Sequence, residues 1–153
     1  PSIFQDLTVY ENLYGLAELS YKTSDQIKEY VEKSIENFNL KKILNLKGRQ
    51  LSGGQRRKVE IARTLVADPK IILLDEPFAG IDPIAVEDIQ SILVNLKNSN
   101  IKVLITDHNV REALDICDES FVISEGKIIA NGSKENLIND ELVKKVYLGK
   151  MYN

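Results

Sequence analysis

Two carboxylates stand side by side at Asp75-Glu76, directly after the aliphatic run IILL at 71–74. Such a pair is costly to place in a dry environment unless a cation or water meets it. A Mg²⁺-nucleotide does so: one carboxylate serves the metal's hydration shell, and its neighbour polarises an attacking water. For a motif this short, a solvated junction between strand and turn accounts for the pair equally well. His108, the one histidine of the chain, closes a second aliphatic run, IKVLITDH at 101–108. A neutral imidazole at a strand's end can donate to a γ-phosphate oxygen, although a single histidine is more often a structural hydrogen-bonding residue. Asp82 in FAGIDP is placed to cap a helix whose first residue is Pro83. By itself it needs no further role.

A third element of chemistry is LSGGQ, Leu51 to Gln55, set directly before RRKVEIARTLVADP. A small hydroxyl residue and adjacent glycines at the head of a helix build a phosphate cradle from backbone N–H groups. The lysine that a phosphate-binding loop normally brings is absent. No GxxxxGK followed by Ser or Thr occurs: Gly126-Lys127 and Gly149-Lys150 both lack the earlier glycine. A helix N-terminus offers an anion about 0.3–1 kcal/mol, rising to ~2 when partly buried, whereas even millimolar binding needs about 4 kcal/mol. LSGGQ alone therefore cannot hold a nucleotide.

These residues require elements to position them. Thr8 with Glu11, and Thr23 with Gln26, form capping boxes that open two helices. In the second, Ile27, Tyr30, Val31, Ile35 and Phe38 fall on one face. A polar connection, NLKKILNLKGRQ, leads to LSGGQ and a helix from about Gln55 to Ala67, closed by Asp68-Pro69. From residue 70 the pattern changes. KIILLDE and IKVLITDH lack polar alternation, as expected of parallel strands buried on both faces. The helix between them carries Val86, Ile89, Leu93 and Leu96, and strand, helix, strand predicts a right-handed parallel crossover. NVREALDIC reads as another helix, SFVIS and KIIANG as a hairpin around Glu125-Gly126, and short helices follow from Ser133.

Length and composition limit the alternatives. At 153 residues the chain is one domain in size, and a net charge of −3 gives a nucleic-acid partner no support. One cysteine, Cys117, excludes a disulfide within the chain and suits a reducing compartment, where it reads as a small buried hydrophobe. No apolar run approaches the ~20 residues that span a bilayer. The chain starts with Pro and shows no signal-peptide pattern, so an upstream portion is expected to be missing.

LSGGQ, IILLDE, FAGIDP and ITDH, in this order and spacing, resemble the ATP-binding subunits of ABC transporters, and the resemblance runs from PSIFQDLTVYENL to the late VYLG. It implies an α/β fold, the C-terminal part of an ABC-type nucleotide-binding domain. A helical signature subdomain would occupy 1–68, part of a RecA-like parallel-sheet core 69–132, and C-terminal helices 133–153. Ser52, Gly53, Gly54 and Gln55 become the signature motif, which touches ATP held by a partner subunit. Asp75 becomes the Mg²⁺-associated aspartate, Glu76 the general base, Asp82 the D-loop aspartate and His108 the switch histidine. ATP and Mg²⁺ are the implied cofactors. The implied partners are a second copy, through the nucleotide sandwich, and transmembrane permease subunits, with no nucleic acid.

The resemblance places such a subunit peripherally on the cytoplasmic face of the bacterial inner membrane, with segment 1–40 facing the permeases. Phe4, Leu7, Val9 and Tyr10 would wall a groove there, or pack on the next helix. DEPFAGIDPI, ITDHNVREAL and VYLG are most similar to the lipopolysaccharide-export branch. The branched-chain amino-acid importers are the alternative within the family, and soluble ABC-type ATPases of DNA repair or translation the alternative of another class. The 153 residues alone are expected to be inactive, because the lysine-bearing loop is not among them.

Overall fold

A computed structural model describes residues 3–21 and 23–148. Pro1 and Ser2 of the opening stretch and Gly149 of VYLG lie outside the described residues, as does Lys150.

Helix α1, Val9–Ser20, starts where Thr8 accepts from the Glu11 N–H and Glu11 reaches back to the Thr8 N–H. The Thr23/Gln26 box opens α2, Ser24–Asn37, in the same way. The connection after α2 is less polar in effect than its composition suggests: Leu40, Ile43 and Gly48 are buried in and beside two short 3₁₀ turns, 41–43 and 48–50. Its backbone bonds to the start of the chain, Val9 N–H to Leu46 O and Gly48 N–H to Leu7 O. A Cβ at Gly48 would lie 2.8 Å from the Phe4 carbonyl oxygen, so this approach requires glycine. Asn12, fully buried, holds the segment before α1: it accepts from the Phe4 N–H and donates to the carbonyls of Phe4, Leu7 and Thr8.

Helix α3 runs Gly53–Thr64, beginning two residues before the expected Gln55, and ends in a 3₁₀ turn 65–67. Asp68, at φ +47°, turns the chain into β1, Ile71–Asp75. Helix α4, Pro83–Asn98, leads to β2, Lys102–Thr106, which pairs with β1 in parallel from Ile71↔Lys102 to Asp75↔Thr106. One core joins Val9, Leu13, Val31, Leu40, Val59 and Ile61 to Ile72, Leu74, Ile89 and Leu93.

The expectation that both strands are buried on both faces is corrected. Ile72 and Leu74 face the core, but Leu73 is 71% exposed and Leu104, its register partner, 59%. The aliphatic run reflects two apolar faces, of which the elements among the described residues cover one.

The short α5, Val110–Leu114, precedes a separate antiparallel hairpin, β3 Ser120–Ser124 and β4 Lys127–Gly132. Glu125 (φ +49°) and Gly126 (φ +75°) both take the left-handed conformation that a two-residue hairpin turn demands. Helices α6, Lys134–Asn139, and α7, Glu141–Val143, follow, then a π-turn 144–148. Leu114, Leu137 and Val143 make a second, small core. Cys117 is partly buried, and that burial pushes its thiol pKa up, in keeping with a packing role. No helix among the described residues is long and apolar enough to cross a membrane.

Candidate functional site

The carboxyl ends of β1 and β2 lie side by side, because the parallel register sets Asp75 opposite Thr106. The Thr106 hydroxyl donates to Asp75 Oδ1, and the Thr106 carbonyl accepts the Glu76 N–H at 2.7 Å. Glu76 therefore begins the loop in the left-handed region, at φ +47°, although it carries a Cβ. A conformation of that kind costs of order 1 kcal/mol or more and persists where the surroundings over-determine it. Its side chain emerges toward β2, and His108 Nδ1 lies 3.3 Å from Glu76 Oε1. Both side chains are more than half exposed, so the pair faces solvent.

Asp107, the residue between, has a different task. One of its oxygens accepts from the Phe78 N–H at 2.9 Å and the other from the Asn109 N–H at 2.7 Å. It thereby ties the loop after β1 to the loop after β2 and sets the spacing of Glu76 and His108. The sequence places Asp107 at a strand's end without giving it a role, because its more distant partner lies 29 residues away.

At the head of α3, the Ser52 hydroxyl accepts from the Gln55 N–H at 3.2 Å, and Gln55 Oε1 accepts from the Ser52 N–H at 3.0 Å. The signature residues are thus a capping box, with the N–H groups of Gly53 and Gly54 left as the helix's first donors. The glycines also meet a steric demand. A Cβ on Gly53 would lie 3.2 Å from the Gly80 carbonyl oxygen, and one on Gly54 only 2.3 Å from the Ala85 Cβ. The α3 N-terminus is pressed against the loop that starts α4, where Asp82 accepts from the Ala85 N–H at 2.9 Å. Among the described residues no hydrogen bond joins Ser52, Gly53, Gly54 or Gln55 to Asp75, Glu76 or His108. The structure brings Asp75, Glu76 and His108 together at the strand ends, sets Asp82 beside the α3 N-terminus, and keeps these two groups distinct. The link between them is a residue that no sequence motif singles out: Arg57, whose Nη2 donates to the Glu76 carbonyl at 3.1 Å.

Of the four residues expected to wall a partner groove, Phe4, Leu7 and Tyr10 are exposed, whereas Val9 is fully buried in the core and is removed from that set.

Residues 1–79 match the sequence profile of the ABC transporter family. The chain belongs to that family. It is 54% identical over 152 residues to the lipopolysaccharide export system ATP-binding protein LptB of Haemophilus influenzae, covering 99% of this chain and 63% of that protein. It is 47% identical over 150 residues to LptB of Escherichia coli, covering 97% and 62%. The fold is similar to solved members of the family. An ATP-binding cassette of an ABC transporter, MJ1267, superposes with a TM-score of 0.84 at 33% identity, covering 97% of this chain and 66% of that one. The dimeric structure of MJ0796, a bacterial ABC transporter cassette, does so with 0.74 at 25%, covering 87% and 59%. The chain thus spans about three-fifths of the length of the LptB proteins it matches.

Proposed function

We propose that this chain is part of the ATP-hydrolysing subunit of an ABC transporter that drives lipopolysaccharide export. One observation carries the hydrolytic reading: Glu76 and His108, from loops after adjacent parallel strands, meet at 3.3 Å at the carboxyl end of the sheet. Ligands of open parallel sheets bind at that end. The export substrate rests on the likeness to the two LptB proteins. No observation favours the amino-acid importer or the soluble ATPase over it.

In this reading Glu76 takes a proton from the attacking water. His108, 3.3 Å from the Glu76 carboxylate, is placed to donate an N–H to a γ-phosphate oxygen beside it. The Glu76 carboxylate, more than half exposed, stays open to the attacking water. Asp75 suits Mg²⁺ carried in with the nucleotide: it is exposed, it sits at the strand's end, and among the described residues no cluster of three or more acidic, Cys or His side chains forms a cage. The bound metal supplies neutralisation of phosphate charge. The N–H groups of Gly53 and Gly54 receive a γ-phosphate whose other contacts come from a second copy of the protein, an assembly in keeping with the dimeric cassette similar to this chain. Asp82 holds the D-loop in place beside the signature residues by capping α4. The exposed Phe4, Leu7 and Tyr10 suit contact with a membrane subunit, in keeping with a peripheral position on the cytoplasmic face of the inner membrane.

The test uses the full-length protein. Glu76→Gln should lower ATP turnover by about 10²-fold or more, the usual contribution of a general base, while nucleotide still traps the dimer in gel filtration. Turnover within a few-fold of wild type would remove Glu76 from that role.

A further inference from the structure

We infer that Arg57 is a positioning residue for Glu76, fixing the backbone of the general base from the signature helix; the inference rests on the ATPase reading. The Glu76 peptide is held from both sides. Its N–H donates to the Thr106 carbonyl at 2.7 Å, and its carbonyl accepts from Arg57 Nη2 at 3.1 Å and from the Ala79 N–H at 3.2 Å. Between these bonds the residue sits at φ +47°, where a side-chain-bearing residue relaxes unless it is restrained. The Cα–Cβ direction from which the carboxylate reaches His108 follows from that backbone conformation.

Arg57 is suited to the restraint because its guanidinium is fixed at a second point. Nη1 pairs with Glu60 Oε2 at 3.1 Å, and the two side chains are only 26% and 13% exposed. A planar fork anchored by one nitrogen presents the other in a set direction, which a lysine's single ammonium cannot do for two acceptors so placed. Arg57 lies two residues after Gln55, on the helix whose N-terminus is the signature. Any shift of α3 against the sheet is therefore transmitted to the Glu76 carbonyl through one hydrogen bond. A plain i,i+3 ion pair with Glu60 would account for the helix-surface contact, but not for the nitrogen directed at Glu76.

The experiment is steady-state ATP hydrolysis by the full-length protein, with Arg57→Met, Glu60→Gln and Glu76→Gln compared with wild type. Arg57→Met is expected to lower kcat about tenfold with KM for ATP within twofold, and Glu60→Gln, which keeps an acceptor oxygen for Arg57 but not the charge, to lower it by a smaller factor. In the Glu76→Gln background, adding Arg57→Met should leave the nucleotide-trapped dimer intact in gel filtration, because the restraint acts on the base and not on the cradle. A kcat for Arg57→Met within twofold of wild type, a loss in Glu60→Gln larger than that in Arg57→Met, or loss of the trapped dimer would each overturn the inference. If instead Glu76→Gln retains turnover, the ATPase assignment of Glu76 fails, and this inference fails with it.

Discussion

Helices α1 to α3 and the two small sheets dispose of their apolar residues in contrasting ways. In the helices, stripes from three elements close on one another: Val9, Leu13 and Ala17 of α1 meet Ile27 and Val31 of α2 and Val59, Ile61 and Ala62 of α3 in one buried cluster. In the sheets one face is left bare, with Ile71 and Leu73 on β1, Leu104 on β2, and Phe121, Ile123 and Ile128 on the hairpin all exposed. A helix can hide its one stripe against two neighbours, but a strand has two faces and needs a layer on each. The chemistry follows the same division. The helical part offers backbone donors fixed by a cap, and the sheet part offers side chains at strand ends.

The largest effect that would break this contrast is on stability. Leu13→Ala, at a side chain with no exposure, should cost about 2–5 kcal/mol in urea denaturation. Leu73→Ala, 71% exposed, should cost under ~0.5 kcal/mol in the same 153-residue chain. Equal losses would mean that the β1 face is covered in solution. A small loss in this chain, with a loss like that of Leu13 in the longer protein, would sharpen the contrast into a statement about what the remaining sequence covers.

A smaller effect probes the seam. Gly54→Ala puts a methyl 2.3 Å from the Ala85 Cβ, and neither partner has a flexible end to yield. The forced shift of α3 against α4 should cost about 1–3 kcal/mol, read as a lower urea midpoint. Ala85→Gly in the same chain should recover part of it. A Gly54→Ala protein as stable as wild type would show that the seam is looser than its contacts, and that packing against Ala85 does not require glycine at 54.

What can be read from the sequence follows the range of the interaction. The capping boxes Thr8/Glu11, Thr23/Gln26 and Ser52/Gln55 close within three residues, so residue types at fixed offsets reveal them. Asp82 with Pro83, and the hairpin at Glu125-Gly126, are legible for the same reason. Asp75, Glu76 and His108 stand out because polar, titratable side chains that follow directly on aliphatic strands lie where a parallel sheet receives its ligands. The Arg57 bond to Glu76 and the Asp107 bond to Phe78 span 19 and 29 residues, and no local pattern announces them. Strand burial is overestimated from sequence because an aliphatic run records the face that a residue could bury, not the layer available to cover it.

The smallest effect concerns the closed side of the contrast, where α2 meets α3. Tyr30 is buried, its hydroxyl donates to the Ala62 carbonyl at 2.7 Å, and burial pushes its pKa up to about 12. Tyr30→Phe should cost about 1 kcal/mol at neutral pH, the net worth of one such hydrogen bond. The pH dependence reports the burial of the hydroxyl. The unfolded chain releases the Tyr30 proton near pH ~10, while the folded protein holds it to about 12. The contribution is thus complete below pH ~10 and is lost progressively as the pH rises toward about 12. Urea midpoints of wild type and Tyr30→Phe should therefore converge across that window. Midpoints that stay equally separated from about pH 8 to about pH 12 would show that water reaches the Tyr30 hydroxyl in the folded protein and that it is not buried between α2 and α3.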